Sequence, residues 1–178
     1  MRDPEVLAET FAEWNRGPLE SYLIDVAAQV LGARDPETGN PLVEMILDQA
    51  GQKGTGKWTA QSALDLGVPI PTIAAAIDAR VLSSMKGERA TASTQLRSAT
   101  TGRIPGDVRE MTDAIHDALR ATTVCAYAQG MSLLRTASGE YGWSVDLREI
   151  ARIWKGGCII RARLLNTFMH AFERAPDL

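Results

Sequence analysis

The chain has 178 residues and a mass of 19.3 kDa, enough for one domain with a core of its own or for two very small ones. Hydrophobic residues make up 45% and charged residues 23%, the composition of a soluble globular protein. Nineteen Lys and Arg stand against 22 Asp and Glu, and a net charge of -3 exerts no overall pull toward nucleic acid or an anionic membrane. Two cysteines, Cys125 and Cys158, are too few for a disulfide framework or a zinc site, and no metal is indicated. No apolar run approaches the roughly 20 residues that span a bilayer, and Met1–Glu5 does not read as a signal peptide. Three Phe, three Tyr and four Trp make a poor stacking platform for single-stranded nucleic acid. A cytoplasmic domain is the expectation.

In chain order, Asp3-Pro4-Glu5 supplies an N-cap acceptor, a proline at the first helical position and an acid in the first turn. The stripe Val6, Leu7, Thr10, Phe11, Trp14 follows and Gly17 stops it. Pro18 is predicted to open a second helix, with Leu19, Tyr22, Leu23, Val26, Ala27 and Val30 on one face and Gly32 at its end. Arg34–Pro41 reads as a loop, and Pro41–Asp48 fits helix or strand. After the glycine-rich stretch Gly51–Thr59, Trp58–Leu66 reads as a helix, broken by Gly67-Val68-Pro69-Ile70-Pro71. Two long helices are predicted next, from Thr72 to about Ala99 and from about Gly106 to Ala137. The second should bury Val108, Met111, Ile115, Leu119, Thr122, Cys125 or Ala126, and Met131–Leu134. Asp146-Leu147-Arg148-Glu149 has capping-box spacing and opens a helix ending at Gly156-Gly157. Ile159–Arg174 is the last helix. With no alternating strand runs or repeats, residues 1–178 read as a single all-α, multi-helix domain built on two long central helices.

Chemistry concentrates in Gln49–Thr59 (QAGQKGTGKWT). Gly51, Gly54 and Gly56 permit positive φ and a close approach of backbone to a ligand. Lys53 and Lys57 add charge and Thr55 and Thr59 add hydroxyls, beside a helix start whose N–H groups suit phosphate or carboxylate. The match to a nucleotide-binding P-loop fails, because Trp58 stands where a Mg²⁺-binding Ser or Thr must be and no βαβ pattern surrounds it. The plain alternative is a basic loop without a ligand. Downstream, Arg80 lies in an otherwise apolar helical stretch with Ser83, Ser84 and Lys86 close behind. Such an arginine either pairs with an acid or offers its fork to an anion, and residue type alone favours the pair.

Four segments together resemble the all-helical domain of the 6-phosphogluconate dehydrogenase family. They are ETFAEWNRGPLESYLID (Glu9–Asp25), LDQAGQKGTGKWTAQSALDLGVPIP (Leu47–Pro71), ARVLSSMKGER (Ala79–Arg89) and IARIWKGGCIIRARLL (Ile150–Leu165). They occur in the family's order and cover nearly the whole chain. The resemblance implies the pentose phosphate pathway: oxidation of 6-phosphogluconate by NADP⁺, decarboxylation of the 3-keto intermediate and release of ribulose 5-phosphate. It also implies that Lys53, Thr55 and Arg80 hold the substrate's phosphate, with Gly54 and Gly56 letting the loop backbone come near, and this reverses the preference for a structural Arg80. Trp14 and Trp58 are expected to pack, Cys125 and Cys158 to be small buried packers, and His116 and His170 to be structural.

The same resemblance sets expectations about what the chain lacks. The family's Rossmann domain for NADP⁺, its lysine base and its glutamate acid would precede the segment matching Asp3–Trp14. A second helical half and a tail bearing an arginine and a histidine would follow Leu178. Read so, the chain is a truncated interior part that binds no cofactor, supplies no catalytic residue, holds 6-phosphogluconate weakly if at all, and forms homo-oligomers through helical faces. The alternative is a catalytically inactive helical assembly module derived from that enzyme.

Overall fold

A computed structural model describes residues 3–96, 106–176 and 178. Among the described residues the regular secondary structure is helical, and two isolated antiparallel bridges, Ser21 with Ala162 and Arg34 with Pro41, occur in the connecting segments. The helices are α1 (Pro4–Trp14), α2 (Tyr22–Gly32), α3 (Leu42–Met45), α4 (Thr55–Asp65), α5 (Pro71–Ser84), α6 (Lys86–Gln95), α7 (Val108–Tyr141), α8 (Leu147–Ile153) and α9 (Leu164–Arg174). The fold is all-α. Two compact units divide the chain, Met1–Ile46 with Ser138–Leu178, and Leu47–Ala137.

In the first unit α1 packs along α2, and α8 packs on α9. Asp3 accepts from the Glu5 N–H (3.0 Å) and caps α1. Pro18 does not start α2: Ser21 caps it, with Oγ accepting from the Ile24 N–H (3.3 Å). The reason lies in residues 161–163. Tyr22 N donates to the Arg161 carbonyl (3.1 Å) and Arg163 N donates to the Glu20 carbonyl (2.9 Å), an antiparallel bridge of Ser21 to Ala162 that keeps Ser21 extended. That pairing also delays the last helix, which begins at Leu164 rather than Ile159. Leu19, Leu147, Ala151, Leu165 and Phe172 are buried in this unit. The ambiguous Pro41–Asp48 segment holds only the single turn α3.

In the second unit Ala63, Val68 and Ile70 form a buried cluster covered by Leu66, Ile73 and Leu133. Gln129 of α7 caps α5 from outside: its Oε1 accepts from the N–H groups of Thr72 (3.1 Å) and Ile73 (3.2 Å), and its Nε2 donates to Thr72 Oγ1 (3.0 Å). These are donors that a helix start leaves without an internal partner. The predicted helix from Thr72 to Ala99 is not continuous. It breaks at Met85 (φ -88°, ψ 46°) into α5 and α6, and α6 ends at Gln95; residues 97–99 lie outside the described residues. Ser83-Ser84 and Gly87 are the cause, since Ser84 Oγ donates back to the Val81 carbonyl (2.7 Å) and Gly87 weakens the helix that follows.

The burial expected of α7 is only partly present. Met131 is buried and Leu119, Ala126, Leu133 and Leu134 are half-buried, but Val108, Met111, Ile115, Thr122 and Cys125 are exposed. Cys158 is half-buried, so neither cysteine is the buried packer expected. Trp14 packs on Phe11 with ring centroids 5.1 Å apart, whereas Trp58 is 64% exposed. No helix among the described residues is long and apolar enough to cross a membrane.

Candidate functional site

The glycine-rich segment becomes a loop that ends on α4. Gly54 is the N-cap residue of that helix at φ 99°, a left-handed conformation that any side chain would strain. Gly54 has no side chain with which to cap the helix, and no side-chain cap bonds its first N–H groups among the described residues. Helix formation starts at Thr55, three residues before the predicted Trp58, because Trp58 N already bonds the Gly54 carbonyl (3.0 Å) and Thr59 Oγ1 bonds the Thr55 carbonyl (2.9 Å). Gly56 faces α5 closely: a Cβ there would lie 3.2 Å from Ile77 Cγ1. A side chain there would press on Ile77, which would have to give by a few tenths of an ångström. Lys53 and Lys57 are exposed and take part in none of the ion pairs among the described residues.

Arg80, near the end of α5, does not pair with an acid among the described residues. Its Nε donates to the Gly51 carbonyl (2.8 Å), which brings the guanidinium to the loop two residues before Lys53. That one bond leaves its terminal nitrogens uncommitted among the described residues, a fork available to an anion. Lys53, Gly54, Thr55 and Arg80 therefore belong to one unit, with Lys53–Thr55 at the start of α4 and Arg80 reaching the same loop at Gly51. Each charged contact that such a site makes to a phosphate dianion contributes about 1.5–3 kcal/mol.

Residue types alone did not reveal what holds the loop. Gln49 Nε2 donates to the Ser84 carbonyl (3.0 Å) and the Ala50 N–H donates to Ser83 Oγ (3.0 Å). Arg89 of α6 donates from Nη1 to Asp48 Oδ2 (3.0 Å) and from Nη2 to the carbonyls of Asp48 (2.8 Å) and Ser83 (3.2 Å). Opposite charges at Asp48 and Arg89 were the available signal, 41 positions apart in sequence. No group of three or more His, Cys, Asp or Glu residues among those described could hold a metal ion.

The first unit carries a cleft of about 350 Å³ lined in part by Tyr22, Asp25, Lys155, Arg161 and Arg163. Its charges are mixed and largely engaged. Arg161 lies 3.7 Å from the Tyr22 ring centroid, and Arg163 is 3.8 Å from Glu20.

The loop, its uncapped helix and the flanking cations occur within a sequence that matches, over residues 1–178, the family model described as 6-phosphogluconate dehydrogenase, C-terminal domain. The chain belongs to the 6-phosphogluconate dehydrogenase family. It is 49% identical over 172 residues to the NADP(+)-dependent, decarboxylating 6-phosphogluconate dehydrogenase of Bacillus subtilis, covering 97% of this chain and 37% of that protein. It is 52% identical over 175 residues to the decarboxylating 6-phosphogluconate dehydrogenase of Synechocystis, covering 98% and 36%. Among solved structures, Plasmodium falciparum 6-phosphogluconate dehydrogenase, described in its apo form and in complex with NADP+ and with 6-phosphogluconate, superposes with a TM-score of 0.90 at 41% identity, over 99% of this chain and 38% of that one. The chain thus spans a little over a third of the length of these relatives. The resemblance carried by the four sequence segments is confirmed.

Proposed function

We propose that this chain is the phosphosugar-holding helical part of a decarboxylating 6-phosphogluconate dehydrogenase, an NADP-dependent oxidoreductase that forms ribulose 5-phosphate. Lys53, Gly54, Thr55 and Arg80 would bind the phosphate of 6-phosphogluconate. The observation that carries this reading is the uncapped amino end of α4 at Gly54, flanked by Lys53 and tied through Gly51 to Arg80. Binding, not bond-breaking, is the role assigned to these four residues. The ammonium and guanidinium neutralise the dianion, the Thr55 hydroxyl and the first N–H groups of α4 donate to its oxygens, and Gly54 lets the backbone come close.

In the family's reaction NADP⁺ would supply the hydride acceptor. The described residues offer it no parallel sheet with a glycine-rich turn into a helix, the usual cradle of a dinucleotide pyrophosphate, so they do not fit the cofactor. Continuity of the family match through both units supports reading 1–178 as one helical domain. The exposed apolar positions of α7 support self-association through helical faces. The bacterial relatives support a cytoplasmic setting, while several plant relatives are chloroplastic forms.

Calorimetric titration of 6-phosphogluconate into the chain tests the site. Wild-type chain should bind weakly, gluconate without the phosphate should not bind, and Lys53→Ala or Arg80→Ala should each weaken binding about tenfold or more. Equal affinity in wild type and both variants would remove these residues from the site.

A further inference from the structure

An unbroken α-helix would put Arg80 and Arg89, nine positions apart, about 180° apart around its axis. Only one of them could then address the loop. The break at Met85 redirects the chain, and both arginines bond the same loop, Arg80 at Gly51 and Arg89 at Asp48. The break also frees backbone acceptors. A helix end leaves its last carbonyls without internal partners. Here the Ser84 carbonyl accepts from Gln49 and the Ser83 carbonyl from Arg89, while Ser83 Oγ takes the Ala50 N–H.

From this arrangement we infer that the α5–α6 break is a dock for loop 48–51 and that Arg89 is a positioning residue for phosphate binding, acting through the loop without touching the ligand. The inference rests on the phosphate-binding reading above. Arg89 suits the task because three bonds leave its two terminal nitrogens, two of them to Asp48. Its Nε is buried without a hydrogen-bond partner among the described residues, so the head is committed through Nη1 and Nη2. A lysine, with one ammonium and no planar fork, cannot reproduce that geometry. The dock holds the strand of loop leading into Lys53 and Gly54, and a loop ordered before the ligand arrives loses less entropy on binding.

Charge gives the test its direction. If the Asp48–Arg89 pair acted on phosphate only through its field, removing the Asp48 carboxylate would tighten binding of an anion. If the pair positions the loop, removing it must weaken binding. Asp48→Ala, Arg89→Ala, Arg89→Lys and Lys53→Ala are therefore compared by calorimetry with 6-phosphogluconate, with the Ala50 amide followed by hydrogen exchange and the folded state by thermal melting. We expect Asp48→Ala, Arg89→Ala and Arg89→Lys all to weaken binding, Arg89→Ala by about tenfold, to speed Ala50 exchange, and to keep a cooperative melt. Tighter binding by Asp48→Ala overturns the inference. So does unchanged binding by Arg89→Ala when Lys53→Ala abolishes it, an outcome that leaves the phosphate site standing. Wild-type chain that does not bind at all removes the phosphate-binding reading itself and the positioning role with it. Unchanged Ala50 exchange in Arg89→Ala removes the dock independently of any ligand.

Discussion

Asp48 is a solvent-facing carboxylate whose acidity is shifted chiefly by Arg89. The hydrogen bond from Arg89, and next its charge, hold the carboxyl below the ordinary aspartate value of 3.8, with a smaller contribution from Lys86. Because the folded-state value is lowered, the pair's contribution to loop order is fully present above the unfolded-state value and is lost as pH falls through the folded one. NMR titration of the Asp48 carboxyl should give a midpoint below 3.8, and Arg89→Ala should return it toward 3.8. An unshifted wild-type midpoint would show that the pair is not formed in solution. Residue types marked the Gly51–Thr59 loop as suited to an anion, with its glycines, ammonium groups and hydroxyls beside a helix start, but they favoured a structural pair for Arg80, and its place beside Lys53, Gly54 and Thr55 came from the family resemblance. Arg89 stayed hidden. Its role depends on a helix break that helical periodicity, applied across Ser83-Ser84, smooths away.

Helix ends were the most readable elements where a polar side chain makes the cap. Asp3 and Asp146 both accept from the N–H groups their positions predict, Asp146 from Arg148 (2.8 Å) and Glu149 (3.2 Å). The box is half realised, since the Glu149 carboxylate turns to Arg152 Nε (2.6 Å) and Arg148 Nη1 (3.3 Å). Asp146→Ala should therefore cost about 1 kcal/mol of stability, read as a lower denaturant midpoint at unchanged slope. An unaltered midpoint would mean that α8 is held by the burial of Leu147 and Ala151 alone. Starts fixed by tertiary pairing were not readable. Tyr22 and Leu164 begin their helices where they do because residues 20–22 and 161–163 bond each other across about 140 positions of sequence, and no local signal in either segment announces that.

The all-α class follows from periodicity repeated along the whole chain, but the side on which α7 buries itself does not. Val108, Met111 and Ile115 fall within about 60° of one another around the helix, a pattern that reads as a core face, yet all three are exposed, Val108 at 61% and Ile115 at 51%. Amphipathic spacing says that a face wants cover and leaves open whether the same chain supplies it. If a second copy supplies it, wild-type chain should show a sedimentation coefficient that rises with concentration. Ile115→Glu should then sediment as a monomer throughout, because a carboxylate placed in an apolar contact must be desolvated without a partner. Since Ile115 faces solvent in the isolated chain, the same substitution should move the thermal midpoint little, within the roughly 0.5 kcal/mol typical of surface changes. A wild-type chain that stays monomeric over the whole range would remove this face from any interface between copies. Loss of association together with a collapsed melting midpoint would instead place Ile115 in the core that its spacing first suggested.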